Sequence, residues 1–161
     1  MTFRIEPYEP RHLDQIIDLS LRAWAPVFVS MEQALDPEVY RAFYPGGWEA
    51  SQRAAVSGVC GAEDIRVWVA VEDGPPLGFV AVKLHAGDLM GEATMVAVDP
   101  AAHRRGVASA LMRFAEERMR EAGMAIAMVE TGGDPGHAPA RAAYESLGFR
   151  QFPVARYFKK L

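Results

Sequence analysis

The stretch Val96-Ala-Val-Asp-Pro-Ala-Ala-His-Arg-Arg-Gly-Val-Ala-Ser-Ala-Leu111 constrains this chain more than any other. It reads as a buried strand, a Pro-terminated turn, a basic loop and the opening of an amphipathic helix. That order of parts aims free backbone N–H groups and two guanidinium groups at one place. A helix start leaves amide donors unpaired and carries partial positive charge, so the place suits a pyrophosphate. The basic residues gathered there stand out because the 161-residue chain carries a net charge of −4. That balance argues against a general nucleic-acid binder, which needs a basic face.

The length predicts a single domain over residues 1–161 with a real hydrophobic core. Cys60 is the only cysteine, which excludes an internal disulfide and a thiolate metal cluster. Its place at a helix end reads as inert packing. No metal is expected. Thr2–Ile5 opens with strand-like alternation instead of a leader, and no apolar run approaches the ~20 residues of a membrane span. A cytoplasmic protein with no membrane partner is the expectation.

Hydrophobic spacing predicts the elements. A first strand covers Thr2–Pro7. Helices follow over Arg11–Ala25, interrupted by Pro26, over Glu32–Tyr44, broken at Asp36-Pro37, and over Trp48–Val59. Strands are predicted over Ile65–Val71, Leu77–Leu84 and Glu92–Val98, with Glu72-Asp-Gly-Pro-Pro76 as a strong turn. Gly106–Glu121 is the clearest helix, with Val107, Leu111, Ala115 and Met119 on one face. Ala125–Glu130 is short and apolar, which predicts a central strand. A helix near Ala138–Leu147 and closing strands over Phe152–Phe158 complete the chain. The link from Val98 through the long helix to Ala125 is a crossover, so those two strands are predicted parallel and adjacent. Ligands enter such sheets at the carboxyl ends of parallel strands, where the Arg-Arg-Gly loop sits.

Neither Gly-x-Gly-x-x-Gly after the first strand nor Gly-x-x-x-x-Gly-Lys-Ser/Thr is present, which removes the dinucleotide and P-loop readings. His103-Arg-Arg-Gly-Val-Ala108 instead resembles the Gln/Arg-x-x-Gly-x-Gly/Ala signature of the GNAT superfamily of acetyl-CoA-dependent N-acetyltransferases. Val96-Ala-Val-Asp-Pro100 is similar to that family's strand and turn before the loop. Ala140-Arg-Ala-Ala-Tyr-Glu-Ser-Leu-Gly-Phe149 resembles its second signature, the Tyr-x-x-x-Gly-Phe helix. Element order agrees over roughly residues 65–158, and the opening Arg4–Asp14 is also similar. Two positions depart from the pattern. His103 stands for the family's Gln or Arg, and His137 for an Asn often found seven residues before the Tyr. Both can still donate a hydrogen bond, and their protonation links binding to pH.

The resemblance implies an α/β (α+β type) fold with a mixed, mostly antiparallel sheet of six to seven strands. About four or five helices flank it, and a parallel strand pair lies at its centre. It implies an acyltransferase with acetyl-CoA as co-substrate. It places Val96, Ala97 and Val98 beside the pantetheine arm, with an oxyanion-binding N–H near Val98. It places His103, Arg104, Arg105, Gly106, Val107, Ala108 and Ser109 around the pyrophosphate, with His137 and Tyr144 also on the cofactor. Tyr144 becomes the acid that protonates the departing sulfur, and Glu92 the general base, acting through water. In a regular strand Glu92 shares a face with Thr94 and Val96, and a bulge changes that register. His85 and Glu130 are reserve bases.

The acceptor is less constrained. Trp24, Phe28, Tyr40, Phe43, Tyr44 and Trp48 crowd the first helices. They form a pocket for an amine, with Trp24, Phe28 and Tyr40 as the candidate contacts, or core, or a homodimer surface. Glu32, Asp36 and Glu38 either attract a cationic amine or form a solvated face. A small-molecule amine is the expected acceptor. A protein acetyltransferase acting on a lysine or N-terminus and a non-catalytic acyl-CoA-binding module are the alternatives.

Overall fold

The computed structural model describes residues 2–161. Five strands form one sheet in the order β1 (Arg4–Pro7), β2 (Ile65–Val71), β3 (Gly78–His85), β4 (Met90–Val98) and β5 (Ile126–Val129). Consecutive pairs are antiparallel except β4 with β5, which is parallel as predicted from the crossover. The helices are α1 (Leu13–Ala34), α2 (Pro37–Phe43), α3 (Trp48–Gly61), α4 (Val107–Glu121) and α5 (Ala138–Ser146).

The sheet separates two apolar layers. On one face Val80, Val82, Ala93 and Val98 pack against Val107, Leu111, Ala115 and Met119 of α4. On the other, Val67, Val69, Phe79 and Ala97 pack against Ile16 and Leu19 of α1 and Val56 of α3. Leu111 and Ile16 are fully enclosed, and burial of such a side chain stabilises by about 1.5–3 kcal/mol. Gln52 of α3 donates to Ser20 of α1 at 2.6 Å, which satisfies a polar pair inside the second layer.

Three expectations are corrected. The sheet has five strands among the described residues, not six to seven. Residues 150–161 adopt no helix or strand. Pro153 removes one ladder donor there, and Phe158 is drawn away onto Phe43 of α2, with ring centroids 4.9 Å apart. For the same reason the parallel pair lies at the sheet edge, and β5 is an edge strand with Ile126 exposed. Third, Pro26 does not interrupt α1, which runs through it to Ala34. Pro26 is exposed, so the carbonyl that loses its partner meets water. The break comes instead at Asp36, whose carboxylate caps α2 by accepting from Glu38 N at 2.8 Å and Val39 N at 3.3 Å.

Candidate active site

The site is built around the place where β4 and β5 part. Their parallel register runs from Met90↔Ile126 to Ala93↔Val129 and stops, while β4 continues to Val98. From Thr94 onward β4 has β3 on one side and no strand on the other. Val96, Ala97 and Val98 lie on this open edge.

A bulge resets the faces of β4. Ala81 pairs with Met95 and Val82 with Ala93, which leaves Thr94 as the extra residue. Its hydroxyl donates to the Ala81 carbonyl at 3.3 Å. Before the bulge, Gly91 and Ala93 face α4. A Cβ on Gly91 would collide with Met119, so only glycine permits that close approach. Glu92 therefore faces the layer of α1 and α3. After the bulge Met95 and Ala97 face that layer, while Val96 and Val98 face α4. Glu92 thus shares a face with Met95 and Ala97, not with Val96 as a regular strand would have it. Its carboxylate Oε2 lies 2.6 Å from His85 Nε2 across the β3–β4 hairpin.

Beyond Val98 the chain makes a 3-10 turn at Pro100–Ala102, capped by Asp99, whose side chain accepts from Ala101 N at 2.9 Å. Asp99 also pairs with Arg22 of α1. Burial raises its pKa, but the guanidinium and the turn amide outweigh that and hold the carboxyl below its ordinary range. His103, Arg104, Arg105 and Gly106 then form an exposed loop. Arg104 and Gly106 both adopt left-handed backbone, φ 61° and 75°. A side chain at such a φ costs on the order of 1–2 kcal/mol, strain of the kind held at binding sites. Left-handed residues thus flank Arg105 on both sides and turn the chain just ahead of α4.

Helix α4 opens without a side-chain cap and without an acidic residue in its first turn. Its early amides, from Val107, Ala108 and Ser109, are left for an outside acceptor. The side chain of Val107 is buried in the core, so Val107 offers only its backbone. Arg105 does not stand free. Its guanidinium grips both oxygens of Glu72 in the β2–β3 turn, at 2.9 and 2.8 Å. An uncapped helix start beside the exposed Arg104 side chain suits a pyrophosphate, and no group of metal-ligating side chains exists among the described residues.

Tyr144 sits on α5, half-buried, edge-on to Phe149 at 6.2 Å, and lines a cavity of about 460 Å³ with β5, Phe152 and Val154. Burial pushes its phenol above the ordinary value of 10.0. Glu130 lines the same cavity and pairs with Arg156 of the tail at 3.5 Å. His137 opens α5, and its Nδ1 is hydrogen-bonded to Asp134. Ser30 of α1 donates to the other oxygen of Asp134 at 2.6 Å and accepts from Gly136 N at 2.8 Å. Burial raises the pKa of Asp134, but the bonds from Ser30 and His137 prevail and hold it low. This clip docks the loop before α5 onto α1, and the pattern of residue types along the chain gave no sign of it.

The expected acceptor residues divide. Phe28 is 4 % exposed, stacked on Trp48 at 4.7 Å and met edge-on by Tyr44 at 5.2 Å, so its ring is enclosed by packing. Trp24 and Tyr40 are half-buried. Trp24 lies edge-on to His137 at 6.4 Å, which puts it beside the clip, and Tyr40 tilts against Tyr44 at 5.0 Å. Cys60 is half-buried, and burial pushes its thiol up to about 11, which withholds the thiolate and agrees with the inert reading.

Residues 63–151 match the family model described as an acetyltransferase (GNAT) domain, more than half of the chain. The chain belongs to the GNAT acetyltransferase family. Membership bears out the resemblance read from the two signatures. A segment of 88 residues is 34% identical to a mycothiol acetyltransferase of Thermomonospora curvata, covering 55% of this chain and 29% of that protein. The chain thus spans less than a third of that relative's length. Among solved structures, the fold resembles the PaiA N-acetyltransferase of Thermoplasma acidophilum in complex with coenzyme A. The TM-score is 0.73, with 16% identity over 96% of this chain and 94% of that one. It also resembles AAC(6')-Iy in complex with the bisubstrate analogue CoA-S-monomethyl-acetylneamine. Here the TM-score is 0.68, with 17% identity over 100% of this chain and 99% of that one. No helix among the described residues is long and apolar enough to cross a membrane.

Proposed function

We propose that this GNAT protein transfers an acetyl group from acetyl-CoA to the primary amine of a small molecule, with both substrates bound together. The observation that carries the reading is the open edge of β4 beyond Ala93, which leads directly into the uncapped start of α4. Main-chain groups of Val96–Val98 pair with the pantetheine arm as an added strand. Arg104, the loop amides and the first turn of α4 hold the pyrophosphate, and Arg105 joins them on leaving Glu72. A free N–H on the β4 edge accepts the developing carbonyl charge.

The chemistry needs a neutral amine, yet an alkylammonium has a pKa of ~10. Glu92 takes that proton through a water, and the amine lone pair then forms the C–N bond as the C–S bond breaks. Tyr144 gives its phenolic proton to the departing sulfur. The phenol is in its protonated, donating form at neutral pH. His103, exposed at the turn, and His137, tethered by Asp134, reach the cofactor as hydrogen-bond donors.

A relative named as a mycothiol acetyltransferase and a structural neighbour named as an aminoglycoside N-acetyltransferase support a small-molecule acceptor. So does the Tyr40 ring near the acidic Glu32, which suits a cation. The test is a panel of neamine, a hexosamine, cysteine amide, spermidine and lysine-containing peptides, with acetyl-CoA and mass detection. The expected result is N-acetyl product on a small amine, with Tyr144→Phe lowering kcat by about tenfold or more. Product on peptides alone replaces this reading with protein acetylation. Binding without product on any amine replaces it with a non-catalytic acyl-CoA module.

A further inference from the structure

His85 has no part in the chemistry above, yet among the described residues it makes the one side-chain hydrogen bond to Glu92. We propose that His85 is the positioning residue of the general base. Its Nε2–H donates to Glu92 Oε2 and leaves Oε1 as the oxygen that meets the amine or its water. The inference rests on the reading of Glu92 as base and deepens it.

The contact follows from the hairpin. Glu92 pairs in register with Lys83, and His85, two residues further along β3, projects from the same face, so the two side chains meet on the diagonal. The nearer cation is already engaged, since Lys83 Nζ lies 3.0 Å from Asp64. The end of the hairpin is stiff. A 3-10 turn at Ala86–Asp88 closes on Leu89 in a left-handed conformation, φ 48°. The Leu89 carbonyl accepts from both Ala125 N and Ile126 N, at 2.7 and 3.1 Å, which locks the start of β4 to β5.

The choice of residue has a chemical reason. A guanidinium here would commit both carboxylate oxygens and fix a permanent charge beside the base. An imidazole gives one directed N–H and leaves the second oxygen with its lone pairs. The side chains are 30 % and 24 % exposed, enclosed enough to hold a geometry and open enough to meet a substrate. Fixing the several torsions of a Glu before the substrate arrives lowers the entropic part of the barrier.

The test uses the full chain, acetyl-CoA and the panel amine turned over fastest. His85→Ala is expected to lower kcat about tenfold with KM for both substrates within about twofold. His85→Gln, which keeps an N–H donor, is expected to recover most of that loss. In a Glu92→Gln background His85→Ala is expected to cost nothing more, because the group it positions is gone. Equal losses in the Ala and Gln variants, or losses that multiply in the double variant, overturn the proposal and leave Glu92 as base untouched. Full turnover by Glu92→Gln alone removes the base assignment and this inference with it. A readout free of turnover is the ¹⁵N spectrum of the His85 ring. A neutral ring with the proton on Nε2 supports the donor role, and one with the proton on Nδ1 overturns it.

Discussion

On the proposed donor side, the parts that would shape the cradle lie in one stretch of chain, from β4 through the turn at Pro100–Ala102 to the first turn of α4. On the proposed acceptor side, Phe28 of α1, Tyr44 at the end of α2 and Trp48 at the start of α3 meet, and Phe158 of the tail lies against Phe43 of α2. The difference is one of contact distance along the sequence. Local geometry such as strand, cap and left-handed turn is written in consecutive residues. An aromatic wall is written in pairings that only the folded chain brings together. The donor half therefore states its chemistry, whereas the acceptor half states only its materials.

The strongest way to break that contrast is at its meeting point, Glu92. Glu92→Gln is expected to lower kcat by about 10²–10³ while acetyl-CoA affinity holds, measured by initial rates and calorimetry. Gly106→Asp attacks the donor half alone. It forces a side chain into left-handed backbone and places a negative charge at the α4 start. Acetyl-CoA Kd is expected to rise by about thirtyfold or more, with the melting temperature as the control for folding.

Asp134→Ala tests the joint between the halves. It strips partners from Ser30, His137 and Gly136 N, with an expected loss of about 1–3 kcal/mol in denaturant unfolding. The sign of its pH dependence follows from the depressed pKa of Asp134. The wild-type contribution is complete above the unfolded carboxyl pKa and disappears as pH falls through the lower folded value, so the variant and wild type converge in acid. The smallest effect is expected from Glu72→Gln. Releasing Arg105 from its bidentate partner tightens acetyl-CoA about twofold to threefold at low salt, and added salt erases the gain.

Much of the local geometry ahead of α4 is legible. The crossover predicts the parallel β4–β5 pair, and Gly106 marks the start of α4. The errors share a cause. The apolar run before Glu130 read as a central strand because apolar strands usually have neighbours on both sides, but Pro153 and the pull of Phe43 on Phe158 keep the tail off the β5 edge. Pro26 read as a stop because its exposure, which makes the lost hydrogen bond tolerable, is a tertiary property. The face of Glu92 turned on a single bulge residue, Thr94, and nothing in Glu92–Val98 announces one. The Ser30–Asp134 bond joins residues 104 apart, beyond the reach of any spacing rule. Conversely, Arg105 looked free for phosphate in sequence because Glu72 lies 33 residues upstream.

The most direct test of the account is a mass-resolved assay of acetyl-CoA with the amine panel, counting free CoA and N-acetyl amine in the same sample. Equal amounts of the two are expected on a small primary amine, with neither formed when the amine is omitted. Stoichiometric acetyl-CoA binding with no N-acetyl product from any amine would contradict it.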